Sequence, residues 1–424
     1  MSRELVIIAG VRTPFTRMGT ELAGLSASDL GRSAVAALID RTALDPGELS
    51  EVIFGCVGQP TDSANIARII ALRGGVPEQV PAATVNRNCA SGIEALTCAH
   101  QRLLAGMGDL FIVGGVESMS NYPLIYRHSA VEHFTELAKA KTLKDRLRAL
   151  THFRTEDFSP LMALQLGLCD PISGLNMGET AEILVRDYGI SREAQDAFAA
   201  RSHEKAFAAQ DDTAAEITAV HTEGIAITAD NGMRTDSTAE KLATLRTVFD
   251  RKTGSVTAGN ASQITDGAVA LLVGSEARAQ ALGIEPLGRL VDYAYTGCDP
   301  ARMGLGPVKS IAAANARAEL TLDDADLVEI NEAFAAQVLA VLKALKEPKY
   351  AQKAGLDAAL GEIPASKLNP RGGSIAIGHP VGATGARLVL SALNQLKHNQ
   401  QQRALVSLCI GGGQGAALWL ERNI

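Results

Sequence analysis

The chain carries a degenerate internal duplication, and this feature restricts its possible folds more than any other. Three pairs of segments repeat in the same order: 52–55 with 327–331, 89–92 with 382–385 and the helix that follows, and 110–115 with 404–413. Each half is therefore expected to form one α/β unit. When two similar halves stack, their corresponding strand ends meet at one face, where α/β sheets bind ligands. The duplication predicts a shared site between the halves.

Strand-like and helix-like runs alternate through the first half of the chain. The predicted order is strand 5–9, helix 27–40, strand 52–55, helix 63–74, strand 83–86, a helix from 89 to 105 and a buried strand 110–115. This order indicates α/β layers. The composition agrees, because 46% of the 424 residues are hydrophobic, only 4% are aromatic and 40 are glycine. A chain of this length exceeds one hydrophobic core, so two or three packed units are expected.

The pattern changes between the two halves. We interpret residues 120–252 as an inserted domain, residues 1–119 with 253–276 as the N-terminal half, and residues 277–424 as the C-terminal half. Part of the insertion is basic, with the side chains Lys139, Lys141, Lys144, Arg146, Arg148 and Arg154. These residues form either a docking surface for an anionic membrane or a partner subunit, or the solvated face of an amphipathic helix.

Charge, hydropathy and cysteine spacing exclude several classes of protein. The chain has 40 basic and 47 acidic residues, a net charge of −7, which argues against nucleic-acid binding, so an anionic substrate needs a local basic site. The apolar run 5–9 is too short for a signal segment, and no window approaches the ~18 apolar residues of a membrane span. The six cysteines lack CxxC spacing. We therefore expect no metal and a reducing compartment: the cytoplasm, or the mitochondrial matrix of a eukaryote.

Cys89 occupies a predicted strand-to-helix turn in the segment Asn-Arg-Asn-Cys-Ala-Ser-Gly at 86–92. The small residues after it allow a sharp turn and the close approach of a substrate. The positive end of the following helix is expected to favour the thiolate, which is the nucleophilic form of cysteine. A structural cysteine in the core is the alternative interpretation of this segment alone.

Two further segments favour a catalytic role for Cys89. His379 lies in a glycine-rich loop before a helix, and Cys409 ends a strand that runs into three glycines. An imidazole can take the proton of a thiol nucleophile, and a second thiol suits proton transfer at a substrate carbon. Asn331 ends another strand, where its amide can fix a water or an oxyanion.

Together these segments resemble the thiolase family over essentially the whole chain. The resemblance rests on residues 86–92, 256–262, 331–334, 378–385 and 409–413, which occur in the order of the family, and on residues 12–15 near the start. It implies an α/β fold of five layers, αβαβα, built from two duplicated halves with an inserted loop domain. It also implies an acyltransferase that cleaves 3-ketoacyl-CoA with CoA, or runs the reverse condensation, through an acyl-cysteine.

The resemblance also implies a role for each site residue. Cys89 would attack the carbonyl and hold the acyl group, after activation by His379. His379, together with a water held by Asn331, would bind a thioester oxygen. Cys409 would exchange the proton at the α-carbon of acetyl-CoA, and the N–H groups of Cys89 and Gly411 would bind the oxyanion of the acyl-enzyme.

Coenzyme A would be a substrate and not a cofactor. By the same resemblance Ser262 would meet its pantetheine arm, Arg234 would lie near its nucleotide, and Met177 and Met303 would line the channel. An exposed loop arginine and two core methionines are the alternative interpretations. The other cysteines match no catalytic motif and are assigned to packing: Cys56, Cys98, Cys169 and Cys298.

The subgroup and the assembly stay open at this stage. Segment 126–182 resembles the loop domain of trifunctional-enzyme β-subunits, which implies longer substrates and a partner subunit in β-oxidation, but that subgroup often has histidine where this chain has Asn331. A short-chain acetyltransferase is therefore also possible.

A ketoacyl synthase would use a second histidine in place of Cys409, and a non-catalytic lipid-binding relative would lose catalytic residues. The family also implies a homodimer or homotetramer.

Overall fold

The computed structural model describes residues 4–422. Its strands are β1 (Leu5–Arg12), β2 (Thr16–Arg17), β3 (Glu51–Gly55), β4 (Ala82–Val85), β5 (Leu110–Ser118), β6 (Leu124–Ile125), β7 (Leu161–Met162), β8 (Val220–Thr222), β9 (Ile225–Ile227), β10 (Thr265–Ser275), β11 (Gly288–Gly297), β12 (Leu327–Ile330), β13 (Arg403–Ile410) and β14 (Gln414–Glu421).

The α-helices are α1 (Ala27–Thr42), α2 (Ile66–Arg73), α3 (Ser91–Leu104), α4 (His128–Lys139), α5 (Leu143–Leu150), α6 (Ala163–Gly167), α7 (Met177–Tyr188), α8 (Arg192–Ala208), α9 (Gln210–Ala214), α10 (Ala239–Ala243), α11 (Glu276–Leu282), α12 (Gly306–Ala318), α13 (Ala335–Lys346), α14 (Pro348–Lys353), α15 (Ser374–Ile377) and α16 (Val381–Asn399). Within residues 4–422 no helix combines the length and the apolar character needed to cross a bilayer.

One continuous sheet of ten strands runs through both halves. Its order is β12-β13-β14-β11-β1-β10-β5-β3-β4, and β2 pairs with β10. The order β3-β5-β10-β1 recurs as β12-β13-β14-β11, and in both sets the first pair is parallel and the next two pairs are antiparallel. The halves join where β1 pairs with β11 over two residues. The predicted duplication is thus present in the topology of the sheet.

Helices and sheet alternate in five layers. On the outer face of the N-terminal half, α1 packs through residues such as Leu30 and is joined by α2. Ile93 of α3 and Leu388 of α16 share one core with strands of both halves, which places these two helices in the middle layer. On the other outer face, α12 and α13 pack through Val308 and Val338. The αβαβα fold predicted from the resemblance is confirmed.

The two middle helices approach each other closely at the glycines of the duplicated motifs. A Cβ atom on Gly92 of α3 would lie 2.6 Å from the backbone nitrogen of Ala386, and one on Gly385 of α16 would lie 2.8 Å from that of Ile93. Neither gap admits a side chain. The glycines of both motifs are therefore required by helix packing, and this packing holds the N-termini of α3 and α16 side by side.

The chain between β5 and β10 contains seven α-helices, α4 to α10, and two small two-stranded sheets, β6 with β7 and β8 with β9. Its later part is integrated into the fold, because Leu184 of α7 and Phe198 of α8 belong to the core beneath α12 and α13. Its earlier part is more exposed, with Leu143 of α5 75% and Leu147 56% accessible. The domain boundaries drawn from the sequence stay a prediction.

Candidate active site

Cys89 lies in the tight turn between β4 and α3. The residue before it, Asn88, has a positive φ of 44°, and Ser91 closes the turn by accepting from the Arg87 N–H and donating to the Asn88 carbonyl. The Asn88 side chain donates to the carbonyl of Gly411 at 2.7 Å. This hydrogen bond ties the turn of Cys89 to the loop after Cys409, so the two halves meet at the predicted nucleophile.

Cys409 lies near the end of β13 and is almost completely buried. The loop after it, residues 411–413, reverses the chain into β14, and Gly412 and Gly413 have φ values of 85° and 80°, which side chains rarely adopt. These glycines leave the Gly411 N–H free to face Cys89, where it stabilises the thiolate form of that residue.

His379 lies between α15 and α16 and is held in one orientation. Its backbone N–H donates to the Gln263 carbonyl, and its Nδ1 lies 2.6 Å from the Thr384 hydroxyl. That hydroxyl donates its own hydrogen to the Pro380 carbonyl at 3.1 Å. Nδ1 must therefore carry the proton in the neutral ring, and Nε2 is left as the basic nitrogen.

Burial favours the neutral form of all three side chains that are predicted to react. Burial raises the pKa of the Cys89 thiol, although the N–H groups of Gly411 and Cys89 oppose the shift, and it raises the pKa of Cys409 still more. Burial, together with the nearby Arg387 charge, lowers the pKa of His379 to about 3. The backbone N–H groups at the start of α3 and at Gly411 favour the thiolate of Cys89, as expected for a helix N-terminus, but desolvation outweighs them and the net shift of the pKa is upward.

Cys89 lies where two cavities meet. One cavity, of about 550 Å³, contains His379 and Cys409, and the other, of about 860 Å³, is lined largely by α6 and the loop after it. The residues common to both cavities are Cys89, Met119, Leu168, Met177, Val381 and Gly411. A group bound covalently to Cys89 can therefore extend into one cavity while a second ligand occupies the other.

The residues predicted to bind CoA all line the 550 Å³ cavity. Ser262 and Arg234 contribute to its wall, Met303 is a buried part of it, and Met177 also lines the other cavity. Arg17, which the sequence argument did not single out, adds a second cation. Two arginines in the lining of one cavity supply the local positive charge that an anionic substrate needs in an acidic protein.

Asn331 is buried at the end of β12, immediately behind the cavity wall formed by Ala333 and Phe334. Its backbone N–H donates to the Ser407 carbonyl, two residues before Cys409. Its Oδ1 accepts from the Ser374 hydroxyl at 2.6 Å, whereas its Nδ2 has no hydrogen-bond partner within residues 4–422. The Asn331 amide thus has one unpaired donor within the described part of the chain, and its predicted role in fixing a water or an oxyanion stays a prediction.

Glu117 and Tyr122 are further site residues that the sequence argument missed. The fully buried Glu117 carboxylate accepts from the N–H groups of Val57, Gly58 and Gly382 and from the Tyr122 hydroxyl. It thereby joins the start of α16 to a wall of the 860 Å³ cavity. An acidic residue two positions after the glycine pair of a buried strand is the signal in the sequence, since such strand ends face the predicted site. Cys169, assigned to packing, also lines this cavity.

Comparison with known proteins now decides the family. The family model described as thiolase, N-terminal domain, matches residues 5–277, and the model described as thiolase, C-terminal domain, matches residues 284–422. The chain belongs to the thiolase family. It is therefore an acyltransferase with thiolase activity on 3-ketoacyl-CoA substrates, a chemistry that fits fatty acid β-oxidation.

Relatives of this thiolase match it over nearly its full length. A 3-ketoacyl-CoA thiolase of Yersinia enterocolitica is 39% identical over 423 residues, which cover 98% of this chain and 96% of that protein. The crystal structure of the Bacillus anthracis acetyl-CoA acetyltransferase has 36% identity and a TM-score of 0.86, covering 99% of each chain. Human mitochondrial 3-ketoacyl-CoA thiolase in complex with CoA has 34% identity and a TM-score of 0.85, covering 99% of this chain and 98% of that one.

Proposed function

We propose that this thiolase cleaves 3-ketoacyl-CoA substrates with acyl chains longer than that of acetoacetyl-CoA, by way of an acyl-enzyme at Cys89. One observation carries the proposal: Cys89 opens into a second cavity of about 860 Å³ in addition to the cavity with the predicted CoA residues. An acetyl group needs no such space. The apolar side chains of α6, among them Leu164 and Leu166, suit an aliphatic chain.

The first half of the reaction is acyl transfer to the enzyme. His379 takes the proton of Cys89 on Nε2, and the thiolate attacks the 3-keto carbon. The N–H groups of Cys89 and Gly411 bind the resulting oxyanion. The bond between carbons 2 and 3 then breaks, its electron pair passes to carbon 2 of the departing acetyl-CoA, and Cys409 donates a proton there. The raised pKa of Cys409 supports this role, because the thiol holds its proton at neutral pH.

The second half releases the shortened product. The thiol of coenzyme A gives its proton to the Cys409 thiolate and attacks the acyl-cysteine. The bond from the acyl carbon to the Cys89 sulfur breaks, acyl-CoA leaves, and the Cys89 thiolate takes back the proton held on Nε2 of His379. Earlier, while the bond between carbons 2 and 3 breaks, His379 and Asn331 stabilise the thioester oxygen of the departing acetyl unit, His379 through its newly protonated Nε2 and Asn331 through a water bound to Nδ2. CoA is consumed as a substrate. The human relative whose structure contains CoA supports the assignment of the cavity with Ser262 and Arg234 to this ligand.

The rate of thiolysis as a function of acyl chain length tests this proposal. We expect kcat/KM to rise from acetoacetyl-CoA towards 3-ketohexadecanoyl-CoA, by up to about fourfold per methylene, since each buried methylene contributes about 0.8 kcal/mol. Leu164→Trp should fill the cavity and reverse this preference. Leu143→Trp on the exposed helix α5 is the matched control and should leave the profile unchanged. A wild-type optimum at acetoacetyl-CoA, as in a short-chain acetyltransferase, would contradict the proposal.

We further propose that the thiolase is a homo-oligomer paired through β4. This strand ends the sheet and has β3 as its only strand neighbour in the part of the chain that the structure describes. The opposite edge differs, because residues 367–369 hydrogen-bond to Val328 of β12 and cover that strand. An uncovered edge favours pairing with a second copy across a twofold axis. Since β4 precedes Cys89, such pairing would also support the nucleophile turn.

The basic insertion is proposed to dock on an anionic membrane surface. On α5 the exposed leucines Leu143, Leu147 and Leu150 recur at helical spacing, and basic residues such as Lys144 and Arg148 flank them. Apolar and basic residues on one exposed helix are typical of helices that lie at a membrane surface.

Free thiols at all six cysteines support a reducing location such as the cytoplasm.

Vesicle binding tests the docking proposal. Replacing Lys141, Lys144 and Arg148 with Glu should abolish binding to vesicles rich in anionic lipid but leave thiolysis of a short soluble substrate unchanged. Each basic residue near such a bilayer contributes about 1 kcal/mol, and salt screens it over ~10 Å at 0.1 M. Unaltered binding at low salt would identify these residues as a solvated face. If the wild type does not bind vesicles, and the variant with the three Glu residues loses binding to a partner subunit, the basic residues form a protein contact instead.

A further inference from the structure

A buried chain of hydrogen bonds lies behind Asn331. The Ser374 hydroxyl donates to Oδ1 of Asn331 at 2.6 Å, and Nη2 of Arg387 donates to the Ser374 oxygen at 3.0 Å. All three side chains are almost inaccessible to solvent. These hydrogen bonds connect three elements of the fold, since Asn331 follows β12, Ser374 begins α15 and Arg387 lies on α16.

The direction of this chain follows from its chemistry. A guanidinium has only donors, so the Ser374 oxygen accepts from Arg387 and its hydrogen is free for Asn331. The Asn331 amide then presents its oxygen to Ser374 and turns Nδ2 the other way. Because Nδ2 is buried with no partner within residues 4–422, it needs an acceptor that is a water or a substrate oxygen.

Arg387 is held in place by its own buried partner. Its Nη1 lies 3.5 Å from the carboxylate of Glu329, which also accepts from Nε2 of Gln395 at 2.9 Å. Glu329 lies on β12 and Arg387 on α16, the helix that begins two residues after His379. The guanidinium therefore contacts the strand that carries Asn331 and moves with the helix that follows His379, so it couples the positions of these two site residues.

We propose that Ser374 and Arg387 are positioning residues of the thiolase reaction, which fix the Asn331 amide with Nδ2 as the donor to the water at the thioester oxygen. The inference rests on the proposed role of Asn331. Neither residue touches the substrate. Without the Ser374 hydroxyl, the Asn331 amide has no partner that distinguishes its oxygen from its nitrogen. The amide can then rotate by half a turn, which places its oxygen, an acceptor, where negative charge develops on the substrate.

A double-mutant cycle between Ser374 and Asn331 tests the proposal. Ser374→Ala should lower kcat and kcat/KM together by about tenfold, the effect of one lost hydrogen bond made in the transition state. In an Asn331→Ala background the same substitution should cause no further loss, because Ser374 acts only through Asn331. Losses that multiply in the double variant would overturn the proposal, since they are the sign of an independent structural effect.

Two additional measurements keep the outcomes distinct. Arg387→Lys retains the buried charge but not the geometry of two donors, so it should lower kcat with thermal unfolding close to that of the wild type. Full activity of Arg387→Lys would overturn the role of the guanidinium. If Asn331→Ala alone keeps full kcat, the proposed role of Asn331 fails. If Asn331→Ala lowers kcat but Ser374→Ala does not, only the positioning role fails.

Discussion

His379 and Cys89 are both neutral before substrate binds, so the transfer of one proton precedes nucleophilic attack. A helix N-terminus lowers the pKa of a cysteine when the sulfur stays accessible to water. At Cys89 the sulfur lies at the junction of two protein cavities, and the loss of hydration raises its pKa instead. The substrate carbonyl therefore meets a thiol and a base, and not a preformed thiolate.

The pH dependence of Cys89 alkylation checks this protonation state. Iodoacetamide reacts with the thiolate, so its rate at Cys89 should rise about tenfold per pH unit from pH 6 to beyond pH 8, without a plateau. The sign follows from the raised pKa of Cys89, which leaves the thiol protonated throughout this range. Mass spectrometry of the peptide that contains Cys89 gives the rate. A plateau between pH 6 and 7 would reveal a resting thiolate and contradict this account.

The sequence alone predicts the three side chains proposed to react, but it does not predict the residues proposed to position them. Cys89, His379 and Cys409 each lie beside a glycine-rich segment of the sequence, and a thiol or an imidazole in such a segment has a direct chemical meaning. Ser374 and Arg387 carry no such pattern, because a serine among glycines and an arginine in a helix are common in any α/β chain. Their function depends on the meeting of β12, α15 and α16, which only the structure establishes.

The pairing of α3 with α16 is the contact between elements on which the geometry of the site depends. A Cβ at Gly92 meets the backbone of α16, which cannot move aside as a side chain can. Gly92→Ala should therefore lower the free energy of unfolding by about 1–3 kcal/mol and reduce kcat, because it displaces the helix that follows His379. Calorimetry and steady-state kinetics measure both effects.

A matched glycine provides the control for this substitution. Gly24 has open space around the position of a Cβ and lacks a positive φ, so Gly24→Ala should leave unfolding and activity unchanged or slightly raise stability. If Gly92→Ala and Gly24→Ala had equal effects on unfolding and activity, the close packing of α3 against α16 would not be the reason for a glycine at position 92.

The inserted segment was the least predictable element. Its position follows from the change of pattern between the duplicated halves, but α6 has only five residues, too few for a helical period to appear. The 860 Å³ cavity therefore has no signature in the sequence. It arises because α6 and the following loop fold back over the turns that carry Cys89 and Gly411.

At the scale of the whole molecule, the duplication explains why the site has contributions from both halves. Cys89 comes from the N-terminal half, while His379 and Cys409 come from the C-terminal half, and the stacked middle helices bring them together. The sequence predicted this arrangement because the duplicated motifs and the resemblance agree. The sequence alone does not identify which edge of the sheet stays open. Residues 367–369, which cover β12, form an irregular segment without a strand pattern in the sequence.

The open edge at β4 predicts the assembly. Light scattering should give a mass of two or four chains for the active thiolase. Ala83→Lys, which places a charge on β4, should shift the mass towards that of one chain, because lysine on an edge strand opposes pairing. A wild-type enzyme that is fully active as a monomer would contradict the proposed pairing.

The division of labour between the two catalytic cysteines is the central claim for the whole enzyme. Mass spectrometry after incubation with acetyl-CoA tests it most directly, with exchange of the acetyl α-hydrogens measured in parallel. We expect an acetyl group on Cys89 in the wild type and in Cys409→Ser, none in Cys89→Ala, and exchange reduced by orders of magnitude in Cys409→Ser. An acetylated, fully active Cys89→Ala variant, or a Cys409→Ser variant that cannot be acetylated, would contradict the account.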